Sequence, residues 1–225
     1  MKVIYRMCGI PSTNPSPWSQ DDKYHLNKIC LKSFVEAFRG VKLDIHFLMD
    51  YCGKEYSKMV EDIPFDYEVE FSETGINDTM IRSYEIAEKI DDIVLFQECD
   101  YLYRPGVGKL FERVLGQLPI VSPYDHKNFY IDNTIHSPNC EIKLVEGYHF
   151  RSTERNTMTW GCHSSIIKEN IDTLEKYGYL DNEVWRDLEY AGHRLYVPIP
   201  SFATHCVKDY LSPGIDWEAR WQELQ

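Results

Sequence analysis

The sequence predicts an α/β protein with a mainly parallel central sheet, and three observations predict it. Residues 91–106 read DDIVLFQECDYLYRPG. The apolar run 93–96, rich in β-branched and aromatic residues, has the character of a strand buried on both faces of a parallel sheet. Strand and helix patterns alternate through the first hundred residues, the order expected of a sheet joined by crossover helices. Finally, that buried run ends in two carboxylates, Glu98 and Asp100, before Pro105-Gly106 turns the chain. Ligands of open α/β sheets bind outside the carboxyl ends of the strands. Hard oxygen ligands at such a place suit Mg²⁺ or Mn²⁺ shared with a substrate's phosphates.

Each element follows from a local pattern. Residues 3–7 form a first strand, and 9–19, GIPSTNPSPWS, with three prolines, form a loop at the ligand edge. Asp21-Asp22 open a helix whose Leu26, Cys30, Phe34 and Phe38 make a buried stripe, and Gly40 stops it. A strand over 43–49 ends at Asp50, a short helix spans 54–61, and a third strand lies near 67–71. Thr74-Gly75 turn the chain, and Asn77 or Asp78 caps a helix that faces Ile81, Tyr84 and Ala87 inward. After the acidic strand come a helix over 107–115 and a short strand over 119–121. Strands are expected at 141–145 and 158–160, with no assignment for GYHFRSTERNT between them. One helix is expected over 164–177 and another over 182–191, capped by Gly192. A strand over 195–197 is broken by Pro198 and Pro200, and the tail 212–225 is a short amphipathic helix with Trp217 and Trp221.

Composition narrows the class. The 225 residues contain 43% hydrophobic and 14% aromatic side chains, enough for a sizeable core, and carry a formal charge of −12. No run of Lys or Arg appears, which argues against a general phosphate-backbone binder. Seven scattered cysteines without a C-x-x-C motif read as reduced thiols of a cytoplasmic protein. No apolar run approaches the ~18 residues of a membrane span, and residues 1–11 are too polar for a signal peptide.

The order of signals resembles glycosyltransferase family 2 and its relatives of the GT-A fold. Four stretches carry the likeness: Asp50 closing the second strand; TGINDTMIRSYEIAEK leading into the fourth; VLFQECDYLYRPG at the place of the D-x-D strand; and GYLDNEVWRDLEYAGHRLYVPIPSFATH, similar to the family's closing helix, strand and His. The departures are Glu98-Cys99-Asp100 in place of D-x-D, Leu180-Asp181 in place of E-D, and a first loop unlike the usual I-P-x-Y-N. The acceptor signature Q-x-x-R-W is absent, which argues against a processive polymerase.

The resemblance implies one three-layer α/β/α domain. Residues 1–106 would be its nucleotide-sugar-binding half, 107–211 its acceptor-side half and 212–225 a helical tail. It also implies a metal-dependent, inverting transfer of a sugar from a UDP- or GDP-sugar to a hydroxyl of a glycan or small molecule. A nucleic-acid base as acceptor is disfavoured by the charge. Mn²⁺ or Mg²⁺ would be held by Asp100 and His205, with Glu98 on the ribose or the metal. The donor would lie against Ile10, Pro11, Ser12, Asp50, Asn77, Asp78, Arg82, Glu98 and Cys99. Asp181 would be the general base, with Glu183 in reserve and N-capping as the structural alternative for Asp181. Trp160, with Gly161 beside it, would offer an apolar face to the acceptor. Two other readings stand: a nucleotidyltransferase making sugar nucleotides, although the first loop lacks the basic residues that class needs, and a non-catalytic module of the same fold.

Overall fold

The computed structural model describes residues 1–19, 22–131 and 140–225. The first part follows the expected order: β1 (Lys2–Cys8), α1 (Lys23–Ala37), β2 (Asp44–Asp50), α2 (Lys54–Val60), β3 (Asp66–Ser72), α3 (Ile76–Glu88) and β4 (Ile93–Glu98). Next come β5 (Tyr101–Tyr103), α4 (Gly108–Leu115), β6 (Ile120–Val121), α5 (Asn128–Ile131), β7 (Ile142–Val145), β8 (Tyr148–Thr153) and β9 (Trp160–His163). The chain closes with α6 (Ser164–Glu169), α7 (Ile171–Tyr177), α8 (Asp181–Tyr190), β10 (Leu195–Ile199), β11 (Ala203–His205) and α9 (Trp217–Leu224).

One nine-stranded sheet runs β3-β2-β1-β4-β9-β6-β10-β8-β7, and β5 and β11 form a separate ribbon. Strands β1 to β4, β6, β7 and β10 point one way; β8 and β9 run against them. The period of two along a strand divides the core into two layers. Val3, Tyr5, Met7 and Leu95 pack with α1, α2 and α4 on one face. Ile4, Val94 and Phe96 pack with α3, α6, α7 and α8 on the other. The result is the expected three-layer α/β/α, Rossmann-like architecture. A third cluster joins Leu26, Ile29 and Cys30 of α1 to Trp217, Trp221 and Leu224 of α9.

Several local expectations are corrected. Asp22 is the N-cap of α1, its carboxylate accepting from the His25 N–H at 2.9 Å; Asp21 lies outside the described residues. Neither Asn77 nor Asp78 caps α3, because Gly75 holds that position, and Met80 rather than Ile81 fills the core. The single helix over 164–177 is two. Asn170 donates from its amide to the Ile166 carbonyl at 2.9 Å, and such local side-chain bonds compete with the helical ladder. Pro198 does not end β10. Pairing with β6 stops at Tyr196, so no ladder bond is lost on that side, and pairing with β8 continues to Ile199. The unassigned GYHFRSTERNT contains β8, whose inward positions include polar side chains with partners of their own, such as Arg151 on Asp125. That polarity conceals the alternation.

Candidate active site

The carboxyl ends of β1, β2 and β4 open into a cleft of about 450 Å³. Ile10, Pro11 and Ser12 of the loop after β1 form one wall, with Asp50, Tyr51 and Ile76 around the mouth. Arg6, Lys23, Glu98 and Asp100 also line it. Gly9 fixes the wall: its N–H donates to the Asp50 carbonyl at 3.0 Å, and a Cβ there would lie 2.2 Å from the Tyr51 carbonyl oxygen.

The acidic pair is held by cations. Glu98 Oε1 accepts from Arg6 Nη2 at 2.7 Å, and the Glu98 N–H donates to Thr159 Oγ1 at 3.1 Å. Asp100 Oδ2 is approached by Lys23 Nζ at 3.4 Å and by His205 Nε2 at 3.5 Å. The ribbon of β5 and β11 makes the second contact, because its register sets Tyr101 opposite His205. The imidazole lies parallel to the Tyr101 ring, centroids 5.0 Å apart. Burial pushes the Asp100 carboxyl up, but Lys23 and His205 outweigh it and hold it well below the ordinary range. For His205, burial favours the neutral ring, and the Asp100 charge overrides it to raise the imidazole above its ordinary value. His205 Nδ1 is buried without a partner among the described residues.

A second pocket of about 340 Å³ reaches His205 from the other side and has Asp181 in its wall. His126, Phe129 and Tyr210 give it an aromatic surface, and Asn156, Arg155 and Asn182 give it polar groups. Burial, with the nearby His205 and Lys127 charges, pushes His126 down to about 4, so it is a neutral part of that surface. Asp181 is the first residue of α8, and Leu180 is the N-cap. The expected capping role is therefore not filled: among the described residues, Asp181 Oδ1 accepts only the adjacent Asn182 N–H, at 2.7 Å. Burial raises its carboxyl, and the Glu98 and Glu183 charges add to this; the Asn182 N–H and Arg155 oppose it.

Other expected contacts fall elsewhere. Trp160 is fully buried between Phe96 and Trp185, and Gly161 packs under Leu115, so neither presents a surface to an acceptor. Arg82 is engaged by Glu70 and Glu85, both at 2.9 Å, and with Asp78 lines a separate groove near β3. Asn77 lies against Gly178. Asp50 Oδ1 accepts from the Thr74 and Gly75 N–H groups at 3.1 and 3.3 Å, which anchors the turn before α3. Cys99 is buried and its thiol is pushed up to about 12 by burial, so it stays protonated. Glu183 lies one turn-step into α8, outside the residues that line the second pocket. Sequence reasoning missed Lys23, Arg6, His126, Arg155 and Tyr210. Arg6 alone left a signal, a charge within the apolar run 3–7.

Among the described residues, no group of three or more His, Cys, Asp or Glu side chains comes together as a metal cage. Asp100 offers an oxygen, and His205, once its imidazole is neutral, a nitrogen 3.5 Å away. The carboxylate alone, with substrate phosphate and water, fits the way Mg²⁺ or Mn²⁺ is commonly held, and an added imidazole is a donor better suited to a transition metal than to Mg²⁺.

No protein-family model and no curated protein matches the chain. Among solved structures it is similar to a nucleotidyl transferase from Methanothermobacter thermautotroptrophicus, at 11% identity over 87% of this chain and 85% of that one, with a TM-score of 0.50. It is also similar to the galactosyltransferase LgtC, solved with donor and acceptor sugar analogues, at 12% identity over 82% and 69% of the two chains, TM-score 0.49. At 11% identity, what the chain shares with the nucleotidyl transferase is the fold.

Proposed function

We propose that this protein is a glycosyltransferase of GT-A type, transferring a sugar from a nucleotide-diphospho-sugar to an acceptor hydroxyl with inversion. One observation carries the reading: the charged cleft, lined by Asp100, adjoins the aromatic pocket, lined by His205 and Asp181, through the 3.5 Å contact between Asp100 and His205. The cleft suits a nucleoside diphosphate, with exposed Ile10, Tyr51 and Ile76 at its mouth for the base and charged groups at its floor. The pocket suits a saccharide or similar polyol, whose C–H faces pack on aromatic rings while its hydroxyls meet Asn156 and Asn182.

Asp181 takes the proton from the acceptor hydroxyl as that oxygen attacks the anomeric carbon from the pocket side. A carboxyl raised above its ordinary pKa is the better base for that step. The bond to the diphosphate breaks on the opposite side, toward Lys23 and Arg6. The floor also supports metal dependence. Arg6 is paired with Glu98 and Lys23 with Asp100, so an incoming diphosphate would meet cations that carboxylates already engage. A bound Mn²⁺ or Mg²⁺ at Asp100 and His205 would offset the charge developing on the leaving group.

Lys23 and Arg6 also favour a second reading. They provide the basic groups that a sugar-nucleotide nucleotidyltransferase needs and the first loop lacks. The test is incubation with UDP- and GDP-sugars, Mn²⁺ and candidate glycan acceptors. Release of nucleoside diphosphate is expected, lost in EDTA, restored by Mn²⁺ and abolished in Asp100→Ala. Turnover undiminished in EDTA removes the metal. Formation of sugar nucleotide from a nucleoside triphosphate and a sugar phosphate establishes the second reading instead.

A further inference from the structure

Lys23 is the first residue of α1 and its side chain is only 7% exposed, yet it lines the donor cleft. Its ammonium contacts the Asp100 oxygen that His205 also approaches, and at 3.4 Å the contact is long for a charge-assisted bond. Arg6, the other cation of the floor, is fixed differently. It holds Glu98 at 2.7 Å and reaches the Ile76 carbonyl at 3.4 Å, so its fork is committed on two sides. Among the described residues Lys23 thus combines one loose partner, a flexible four-carbon stem and a position on the cleft wall. In the donor-free protein it neutralises Asp100, an otherwise half-buried carboxylate.

That arrangement cannot persist unchanged if a divalent ion arrives with the donor, because ion and ammonium would compete for the same Asp100 oxygen. The diphosphate brings a new acceptor to the same cleft. We propose that Lys23 changes partner: it holds Asp100 in the donor-free protein and turns to a phosphate oxygen of the nucleoside diphosphate when the ion claims Asp100. This rests on the donor reading above and assigns Lys23 as a positioning residue for the leaving group.

The exchange has a signature that a merely structural lysine lacks, namely opposite effects on the two ligands. Lys23→Met and Lys23→Gln remove the competitor for Asp100, so Mn²⁺ alone, titrated by electron paramagnetic resonance, binds severalfold more tightly than to wild type. The same variants lose a charge-assisted bond to phosphate. UDP or GDP, titrated calorimetrically at saturating Mn²⁺, therefore binds about tenfold or more weakly. Lys23→Arg keeps the charge; its nucleoside diphosphate affinity stays within severalfold of wild type, and it serves as the measured variant should the neutral ones not fold. Parallel weakening of both ligands, or unchanged affinity for both, in folded Met and Gln variants overturns the exchange while leaving the donor reading in place. In the Arg variant, a tenfold loss of nucleoside diphosphate overturns it too. If wild type itself binds no nucleoside diphosphate, the donor reading fails and the exchange with it.

Discussion

At the scale of single residues, the base and the leaving-group side are separable by substitution. Asp181 is not the cap of α8, and Asn retains an oxygen able to accept the Asn182 N–H. Asp181→Asn should therefore keep the melting temperature within a few degrees and keep donor binding. Transfer to the acceptor should fall by about 10²- to 10⁴-fold, the usual contribution of a positioned base. Transfer near the wild-type rate would show that Asp181 is not the base. The pH profile gives an independent check. Asp181 acts only when ionised, so activity falls as pH drops through its raised pKa, and the acid limb of kcat/KM lies above the ordinary value of an Asp carboxyl. Arg155 is the cation that opposes the rise. Arg155→Gln should therefore move the acid limb to higher pH, and a limb that stays put would mean another group governs it.

At the scale of elements, the site is made by strand ends, and their packing is tight. A methyl group at Gly9 would meet the Tyr51 carbonyl oxygen at 2.2 Å, against backbone that cannot swing aside. Gly9→Ala should cost about 1–3 kcal/mol, as overpacking usually does, and lower the melting temperature by several degrees. Donor binding should weaken as well, because Ile10, Pro11 and Ser12 hang from that contact. A variant as stable and as tightly binding as wild type would show that the loop after β1 is set by other contacts. The same scale explains what the sequence could reveal. β1, β2 and β4 were legible because their runs are mostly apolar and buried on both faces, and β3, a largely exposed edge strand, because its residues alternate. Asp100 was legible because it follows the buried strand β4, and Asp181 and His205 only through the resemblance of residues 178–205 to the closing helix, strand and His of the family. The ribbon of β5 and β11 was not: three residues per strand carry no period, although it is what sets His205 beside Asp100. Lys23 was equally hidden, since nothing near it in sequence announces a carboxylate 77 residues away.

At the scale of the whole molecule, the question is whether residues 1–106 form a unit that could stand alone. The sheet argues that they do not. β4 pairs with β1 on one side and with β9, from the second half, on the other. Cutting after residue 106 bares that edge, removes Trp160 and Trp185 from beside Phe96, and leaves β5 without β11. It also uncovers Leu26, Ile29 and Cys30, which α9 covers with Trp217, Trp221 and Leu224. Truncating even one buried Trp commonly costs about 3–5 kcal/mol, a large part of the roughly 5–15 kcal/mol that holds a domain together. A chain of residues 1–106 should therefore show no cooperative thermal transition by circular dichroism, whereas the full chain should unfold in one. Ligand binding should then move that single transition as a whole. At a hundred times its Kd, a nucleoside diphosphate adds about 2.7 kcal/mol, which for a chain of this size is a rise of roughly 5–11 °C. A folded 1–106 fragment, or a ligand that shifts only one of two transitions, would show that the donor cleft belongs to an independent domain and that α9 and the acceptor side are appended to it.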